Sequence, residues 1–332
     1  MAKTVVNAKP LVSAIIVNWN GAHHLRICLP SLRAQTSQPL EIVVVDNGSK
    51  DDSGEVAREF QARWLPLGQN VGLAPALNHG VDIAGGDFLL FINNDMRFDT
   101  GFVAALLKPM QENDAIFAAD GMQFNWDGSR REHLAARLVK KQPGGLPALV
   151  PGLYFYPQDV DEETPVFMGS AASMLVRRSF FEKLSGFDDR LPLGYEDVEI
   201  CWRAWLQDWK TVYVREAICW HHVGASGRSQ EGERMNFCGV LRGRLLLATK
   251  LLPLRYIVGA WLVSIAALGK DLSRFRWAVA RDRIKVLRET GDLVPQLLRE
   301  REKLFGATRR SPEKHLDFLL GLGQTASKAV KR

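Results

Sequence analysis

The segment EIVVVDNGSKDDS, residues 41–53, decides the fold class because it joins a buried strand directly to a polar turn. Residues 42–45 are all β-branched, which is typical of a strand that packs in the interior of a protein. The run ends at Asp46, and the Asn-Gly-Ser that follows has the residue types that turns require. We therefore predict a buried strand whose carboxyl end carries polar side chains.

The residues around this segment alternate between strand and helix patterns. Three apolar runs predict strands, at Leu11–Val17, Glu41–Asp46 and Phe88–Ile92. Three further segments have the pattern of helices, at 25–32, 53–60 and 75–83. Ser53 and Pro75 stand where they favour the start of a helix. Strands separated by helices of this length indicate an α/β protein with a parallel sheet and right-handed crossovers.

Polar residues follow each of the three predicted strands. The clusters are Asn18-Trp19-Asn20, Asp46-Asn47 and Asn93-Asn94-Asp95. In an open α/β sheet, ligands bind at the carboxyl ends of the strands. The three clusters therefore predict a ligand site at this edge of the sheet.

The remainder of the chain has a different pattern. Residues 143–165 are rich in Pro and Gly and predict a loop. A strand, a helix and two short strands are predicted next, at Ala171–Val176, Glu196–Trp209, Thr211–Val214 and Ala217–Trp220. From about Asn236 onward the pattern is helical and basic.

Composition and charge narrow the class of protein. The 332 residues are 46% hydrophobic and 24% charged, which excludes a fibrous or wholly disordered chain. The 4 cysteines form no C-x-x-C pair, so a reducing compartment is the simpler interpretation. Residues 1–227 hold 21 Lys and Arg against 27 Asp and Glu, whereas residues 228–332 hold 22 against 10. This split, from −6 to +12, suggests that the last third meets an anionic partner.

The basic last third contains an apolar stretch, Leu251–Gly269, which Pro253 and Arg255 interrupt. Its uninterrupted part would form a helix of about 21 Å, which is shorter than the bilayer core of about 30 Å. Trp, Leu and Ile recur there at helical spacing and basic residues follow, a pattern typical of interfacial helices. We therefore predict peripheral attachment to an anionic membrane surface, and truncation after Ser226 should abolish it. Packing onto the rest of the chain, or onto a second copy in a homo-oligomer, is the equal alternative.

Five segments, in this order, resemble the inverting glycosyltransferases of family 2: SAIIVNWNG, VVVDNGSKDDS, NVGLAPALNHG, FINND and GYEDVEICWRA. They cover roughly residues 10–226, about two thirds of the chain, and are most similar to the bacterial rhamnosyltransferase-like branch. The resemblance implies a GT-A fold with a mostly parallel central sheet flanked by helices. It also implies transfer of a sugar from a nucleotide diphosphate to an acceptor hydroxyl.

The resemblance sets expected domain boundaries. A GT-A catalytic domain is expected at 10–227, with a nucleotide-binding half at about 10–122 and an acceptor half at about 166–227. Residues 228–332 are expected to form a basic, amphipathic helical region. The implied location is cytoplasmic and peripheral, on the inner face of the plasma membrane.

The resemblance places the donor nucleotide beside the ends of the first strands. It implies that the Asp46 carboxylate accepts a hydrogen bond from the imide N–H of uracil or thymine, although a turn-forming Asp is the plainer explanation. Trp19 is expected to lie against the base, with burial in the core as the alternative. Asn70, Gly72 and Asn78 belong to the loop and helix that family members place beside the nucleotide.

Asn93-Asn94-Asp95 occupies the place of the family's D-x-D motif, so Asn94 and Asp95 are expected at the nucleotide diphosphate. A divalent cation at this place neutralises the leaving diphosphate. Asp95 is the only acid in this version of the motif and is the expected ligand of Mg²⁺ or Mn²⁺. Some relatives complete the metal site with a histidine that matches His221, and an imidazole mildly favours Mn²⁺.

Glu196 and Asp197 begin a predicted helix, where acids complement the helix dipole without any catalytic role. The resemblance implies instead that Asp197, the second acid, is the general base that takes the proton of the acceptor hydroxyl. Glu196, Arg203 and Asp188 are candidate supporting or acceptor-contacting residues. Glu196 and Asp188 are also the alternatives for the base.

The expected activity is metal-dependent, inverting glycosyl transfer to a glycan or lipid-linked acceptor. The favoured donor is dTDP-rhamnose, and a UDP-sugar is the alternative. A nucleotidyltransferase would need a glycine-rich loop with a basic residue after the first strand, where this chain has Asn18-Trp19-Asn20-Gly21. A non-catalytic sugar-nucleotide or membrane-binding module would need no base such as Asp197. Binding to nucleic acid is not expected, because the basic residues interleave with an apolar run that suits lipid better.

Overall fold

A computed structural model describes residues 12–37, 40–133, 135–140, 148–158, 164–222 and 230–322. The chain divides into two compact units, each built from three segments. The first unit comprises Met1–His133, Ser170–Phe187 and Tyr213–Val223. The second unit comprises Leu134–Gly169, Asp188–Val212 and Gly224–Arg332.

The first unit begins with alternating strands and helices. Its strands are β1 (Val12–Asn18), β2 (Leu40–Asp46), β3 (Arg63–Pro66), β4 (Phe88–Asn93), β5 (Met96–Phe98), β6 (Ile116–Asn125), β7 (Arg131–His133), β12 (Ser173–Arg177) and most of β13 (Lys210–His221). Its helices are α1 (Ala22–Arg33), α2 (Ser53–Glu59), α3 (Leu73–Ile83), α4 (Phe102–Glu112) and α5 (Arg178–Lys183).

The central sheet of the first unit has the strand order β13-β6-β12-β4-β1-β2-β3. β1 pairs in parallel with β2 and β4, and β2 pairs in parallel with β3. β12 runs antiparallel to both β4 and β6, so the sheet is mixed where a mostly parallel one was expected. The parallel part, β3-β2-β1-β4, has the order of a nucleotide-binding α/β sheet, in which ligands lie at the carboxyl ends of the strands.

The three central parallel strands are apolar along their length because both of their faces are covered. The apolar side chains at the centres of β1, β2 and β4 are fully buried. Their register pairs Asn18 with Asp46, and Val17 with Asn93. The polar ends of the three strands therefore stand side by side.

The strands predicted for the first unit are confirmed as β1, β2, β4 and β12, and the predicted helices as α1, α2 and α3, with ends that differ by a few residues. The two short strands predicted between 211 and 220 are one continuous strand, β13. Ser53 does not cap α2, whose N-cap residue is Asp52. The Ser53 hydroxyl instead accepts a hydrogen bond from the Asn18 side chain.

In the described part of the chain, the second unit combines a three-stranded sheet, one further strand and five helices. Its strands are β8 (Ala135–Val139), β9 (Ala148–Val150), β10 (Leu153–Gln158) and β11 (Thr164–Val166). Its helices are α6 (Glu196–Leu206), α7 (Gln230–Leu251), α8 (Leu254–Ser273), α9 (Trp277–Gly306) and α10 (Pro312–Gly321). β10 pairs antiparallel with β8 and β9. The loop predicted at 143–165 therefore contains strands, and its residues 143–147 and 159–163 lie outside the described part of the chain.

Helix α6 lies in the interior of the second unit, and all eleven of its residues are buried. Its Glu199 accepts two hydrogen bonds from Arg203, at 2.7 and 2.6 Å. The Nζ of Lys250, at the end of α7, lies 2.7 Å from Glu199 and 2.7 Å from Asp188. Arg190 joins Asp188 to Glu300 of α9, with 2.6 Å contacts to each. We call these six residues the Lys250 cluster.

The last helix of the chain also packs on α6. Arg310 donates to the carbonyl oxygen of Trp205 at 3.1 Å, and the ring of His315 lies 5.8 Å from that of Trp202. The C-terminal helices thus share a compact unit with the helix that carries Asp197, and the division between units does not follow the expected boundary at 227. Because truncation after Ser226 would remove Lys250, it would leave charged groups of the second unit buried without their partner.

Helix α8 has an exposed apolar surface. Pro253 is its N-cap residue, so the expected interruption of the apolar stretch is confirmed. Among the described helices, α8 alone is long and apolar enough to cross a membrane, by length and composition only, and 22% of the relevant 18-residue window is buried. Trp261 faces the protein, since its indole N–H donates to Thr249 of α7 at 3.3 Å.

We expect Lys250→Met to destabilise the protein by about 3–5 kcal/mol, because the cluster balances three acids with three cations and would be left with one buried negative charge in excess. Urea denaturation followed by circular dichroism measures the change. Lys285→Met is the matched control, since the Lys285 side chain is 73% exposed and lies 3.9 Å from Glu289. Equal stability of the two variants would contradict a structural role for the Lys250 cluster.

Candidate active site

Asn18, at the end of β1, ties together the polar ends of the parallel strands. Its side chain is fully buried and donates to the hydroxyls of Ser53 at 2.9 Å and Ser49 at 3.2 Å. Its Oδ1 accepts from Asn94 at 2.7 Å, and its backbone carbonyl accepts from the N–H of Asn47 at 2.8 Å. The predicted ligand edge is therefore a connected network and not three separate turns.

The loop after β2 is folded around two side chains. The Asp46 carboxylate is 5% exposed, and its oxygens accept from the backbone N–H of Ser49 at 3.1 and 3.2 Å. The turn-forming explanation of Asp46 is thus confirmed, and unused lone pairs on the carboxylate leave room for a further donor. Asn47 donates to the side chain of Asn70 at 3.1 Å and to the carbonyl of Gly72 at 3.2 Å.

Gly72 takes a backbone conformation that favours glycine. Its φ is +96°, and it is the N-cap residue of α3. Its N–H donates to Asn70 Oδ1 at 3.0 Å. Asn70 and Gly72 thus form one exposed loop that is held against the end of β2.

Trp19 and Asn78 differ in their surroundings. Trp19 is 55% exposed, so the alternative that it belongs to the core is wrong. Its indole lies on the surface next to the strand ends, where a ring could stack on it. Asn78 donates to the carbonyl of Phe187 at 2.9 Å and accepts from the N–H of Phe187 at 3.1 Å. Both ends of its amide hold the backbone, which gives Asn78 a structural role.

Asp95 and His221 lie next to each other although they are 126 positions apart in the sequence. β5 pairs antiparallel with β13, which places His221 opposite Met96, and the N–H of His222 donates to the carbonyl of Asp95 at 3.0 Å. The His221 Nε2 is therefore 3.2 Å from Asp95 Oδ1, with side chains 17% and 13% exposed. The other ring nitrogen, Nδ1, lies 2.7 Å from the Gln123 amide.

This pair fits a divalent cation that is shared with a ligand. One carboxylate oxygen and one imidazole nitrogen face each other at a distance that an ion between them could bridge. The described residues contain no group of three or more His, Cys, Asp or Glu that could hold a metal. The protein would therefore supply two ligands, and phosphate oxygens and water would supply the rest, as is usual for Mg²⁺ at substrate phosphates.

Asp197 begins α6 in the second unit, where its side chain is 7% exposed. Its Oδ1 accepts from the N–H of Val198 at 2.7 Å. Beside it, burial and then the negative charge of Asp197 raise the pKa of Glu196 to about 8. The Glu196 carboxyl therefore ionises less readily than an ordinary glutamate.

The other candidate supporting residues belong to the Lys250 cluster. Burial opposes ionisation of Asp188, but hydrogen bonds from Arg190 and the charge of Lys250 outweigh it and hold its pKa well below the usual range. Arg203 is 6% exposed and is fully engaged with Glu199. Asp188 and Arg203 therefore stabilise the second unit.

Sequence reasoning missed Gln123 and Lys250 as parts of these networks. Gln123, on β6, is 5% exposed and contacts His221. A polar residue within a mainly apolar strand, which also contains Asp120, is the signal that could have identified Gln123. Nothing in the local pattern around Lys250 distinguishes it from the other basic residues of its region.

Comparison with known proteins agrees with this architecture. The family model for Glycosyl transferase family 2 matches residues 13–185. The N-acetylglucosaminyl-diphospho-decaprenol L-rhamnosyltransferase of Mycobacterium tuberculosis is 30% identical over 238 residues, which are 65% of this chain and 77% of that protein.

Two solved structures share the fold. GalNAc-T7, solved with UDP, GalNAc and Mn²⁺, has a TM-score of 0.57 at 17% identity and covers 75% of this chain and 49% of its own. Residues 1–349 of TarS from S. aureus have a TM-score of 0.54 at 16% identity and cover 90% of this chain and 93% of their own. The chain belongs to glycosyltransferase family 2, and its fold is of the GT-A type.

We expect Glu196→Gln to change how stability depends on pH. The folded state raises the pKa of Glu196 from 4.5 to about 8. Between these values the unfolded chain releases the Glu196 proton and the folded protein keeps it, so the wild type loses stability as pH rises from 5 to 8. The Gln variant should therefore gain stability relative to wild type between pH 5 and pH 8. Urea denaturation at both values, with exposed Glu59→Gln as control, measures this gain. A stability difference between wild type and Glu196→Gln that stays constant from pH 5 to pH 8 would contradict a raised pKa of Glu196.

Proposed function

We propose that this glycosyltransferase is metal-dependent and inverting, and moves rhamnose from dTDP-rhamnose to a hydroxyl of a lipid-linked glycan. The observation that carries the proposal is the pairing of Asp95 with His221 next to the ligand edge of the sheet. The choice of sugar rests on the mycobacterial relative, whose name describes rhamnosyl transfer to a sugar diphosphate lipid. A UDP-sugar is the alternative donor.

The donor nucleotide would lie across the ends of β1, β2 and β4. Asp46 has acceptor capacity for the imide N–H of thymine, and the exposed ring of Trp19 offers a stacking surface. Asn70 and Gly72 would border the nucleotide from the loop before α3. Asn94, whose amide donates a hydrogen bond to Asn18, would lie beside the diphosphate.

Asp95 and His221 would hold Mg²⁺ or Mn²⁺. When bound, the cation supplies positive charge that stabilises the diphosphate as it leaves. The two side chains contribute by fixing where that charge is placed. The attachment of Asp95 to β4 and of His221 to β13 keeps both in place through backbone pairing.

Asp197 would be the general base. The acceptor hydroxyl must lose a proton as it attacks the anomeric carbon, and a carboxylate can take that proton. The surroundings of the alternatives favour Asp197, because burial disfavours ionisation of Glu196 and Asp188 is ion-paired with Arg190 and Lys250. The proton would pass from the acceptor oxygen to the Asp197 carboxylate.

We also propose that the exposed surface around α8 binds an anionic membrane. Leu262, Val263 and Ile265 of α8 are 53–61% exposed, and Phe275 and Trp277 at the turn into α9 are 77% and 62% exposed. Exposed basic residues surround this turn, at Lys270, Arg274, Arg276 and Arg281. Apolar and aromatic side chains framed by positive charge fit the interface of an anionic bilayer.

A donor screen tests the proposed reaction. Full-length protein is assayed for nucleotide release from dTDP-rhamnose, UDP-GlcNAc and GDP-mannose, with Mg²⁺, Mn²⁺ or EDTA and an N-acetylglucosaminyl-diphospho-lipid acceptor. We expect acceptor-dependent release from dTDP-rhamnose, and its loss in EDTA. Preference for another donor would contradict the assignment of rhamnose, and equal rates in EDTA would contradict the role of the metal.

We expect Asp197→Asn to transfer sugar at least about 10²-fold more slowly while it still binds the donor, because only the proton acceptor is lost. Turnover at saturating acceptor and donor affinity by calorimetry separate the two effects. Asp114→Asn is the control, since the Asp114 side chain is 98% exposed. Turnover within a few-fold of wild type in Asp197→Asn would place the base elsewhere.

The membrane proposal is tested by flotation with anionic and neutral liposomes. We expect binding to anionic liposomes that high salt weakens without abolishing, since apolar side chains stay inserted. Phe275→Ser combined with Trp277→Ser should reduce binding, whereas Ile27→Ser, at a residue 44% exposed in the first unit, should not. If the full chain fails to float with anionic liposomes at low salt, the surface instead serves packing or dimerisation.

A further inference from the structure

The segment that leads into α6 packs against a face of α7 formed by glycines. Gly239 and Gly243 are four positions apart in α7, so they lie on the same side of the helix. A Cβ atom added at Gly239 would lie 3.4 Å from the Cβ of Pro192. One added at Gly243 would lie 2.6 Å from Cγ and 2.7 Å from Cε2 of the Tyr195 ring. Packed carbon atoms lie about 3.5–4.0 Å apart, so glycine at this position is what allows the ring to approach α7.

Tyr195 is the residue at which α6 starts. It is the N-cap residue, and its carbonyl oxygen accepts from the N–H of Glu199 at 3.0 Å. Its side chain forms no capping hydrogen bond within the described part of the chain. The side chain instead lies against α7, where it is 8% exposed and its hydroxyl donates to the carbonyl oxygen of Val240 at 3.3 Å. Because tyrosine is not a residue that stabilises helix starts by capping, the contact with α7 is what fixes where α6 begins.

Asp197 stands two positions after Tyr195, in the first turn of α6. Its backbone position is therefore set by the place at which Tyr195 starts the helix. Glu196 is attached to the same point, since its Oε2 accepts from the N–H of Tyr195 at 3.1 Å. A displacement of about 1 Å can lower the rate of an enzyme about 10²-fold. The contact that fixes the start of α6 thus bears directly on any reaction of the Asp197 carboxylate.

Polar contacts join α7 to the chain on both sides of Asp197. Before it, the Arg242 Nε donates to the carbonyl oxygen of Arg190 at 3.3 Å. After it, the Lys250 Nζ lies 2.7 Å from Glu199. Between these two contacts, the ring of Tyr195 is held against α7 at the point where the helix begins.

We propose that Tyr195 and Gly243 are positioning residues for Asp197. The glycine leaves room on α7 for the tyrosine ring, and the ring fixes the start of α6, where the Asp197 carboxylate would take the proton of the acceptor hydroxyl. The proposal rests on the proposed function, in which Asp197 is the general base. It gives α7, in the basic last third of the chain, a part in the reaction that does not depend on a membrane.

The first test is the steady-state turnover of full-length Gly243→Ala with dTDP-rhamnose and an N-acetylglucosaminyl-diphospho-lipid acceptor. The added methyl group displaces the Tyr195 ring, so we expect kcat to fall about tenfold or more. Affinity for dTDP with Mn²⁺, measured by calorimetry, should stay at the wild-type value, because the nucleotide would bind in the first unit. A loss of folding would instead lower both quantities.

Gly259→Ala is the matched control. Gly259 lies inside α8, and a Cβ added there would have no atom of the described residues within 4 Å. Alanine is a better helix former than glycine, so both substitutions favour the helix itself and differ in what the methyl group meets. We expect Gly259→Ala to turn over like wild type, and equal turnover of the two variants would overturn the proposal.

A double-mutant cycle separates this contact from a general effect on folding. Tyr195→Leu removes the ring, so adding Gly243→Ala to it should change kcat by less than about twofold. Slowing of wild type and of Tyr195→Leu to the same extent would overturn the proposal.

The variant Asp197→Asn distinguishes failure of this proposal from failure of the proposed function. Rapid turnover of Asp197→Asn would contradict the general base on which the proposal rests. Slow turnover of Asp197→Asn together with rapid turnover of Gly243→Ala would contradict the positioning role and leave the general base standing.

Discussion

The parallel pairing of β1 with both β2 and β4 is the constraint on which the candidate site depends. This register sets Asn18 beside Asp46 and brings the end of β4 alongside, so the turns that follow begin at one edge. Asn18 then fixes those turns through Ser53, Ser49 and Asn94, which a fully buried amide at that position must do to satisfy its own polar atoms. A shift in register would separate these partners and bury unpaired polar groups.

The antiparallel part of the sheet completes the site by a different physical means. Asp95 lies in the tight turn between β4 and β5. The antiparallel pairing of β5 with β13 places His221, which comes much later in the chain, beside Asp95. Backbone hydrogen bonds thus bring these two side chains together, and the described residues contain no group of three or more His, Cys, Asp or Glu that could hold a metal. Such a pair can leave most of a cation's coordination sphere to a bound diphosphate, which fits a group that must be released in each cycle.

The sequence pattern correctly predicted the features that depend on residues close together in the chain. The β-branched runs of β1, β2 and β4 and the polar residues after them follow from burial and turn chemistry, and each was expected at nearly its observed place. The Lys250 cluster was not expected, because a buried ion pair depends on which distant residues meet and has no periodic signature. The strands within 143–165 were missed because their Pro and Gly content resembles that of a loop. The resemblance to family 2, and not periodicity, supplied the candidate roles of Asp197 and His221.

The central claim is that the cation lies between Asp95 and His221 when a nucleotide occupies the ligand edge of the sheet. Its most direct test is a crystal of the full chain grown with dTDP and Mn²⁺, in which anomalous scattering locates the manganese. The account predicts one anomalous peak within bonding distance of the Asp95 carboxylate, the His221 Nε2 and the diphosphate. Density for dTDP with the peak absent, or with manganese bound away from both side chains, would contradict it.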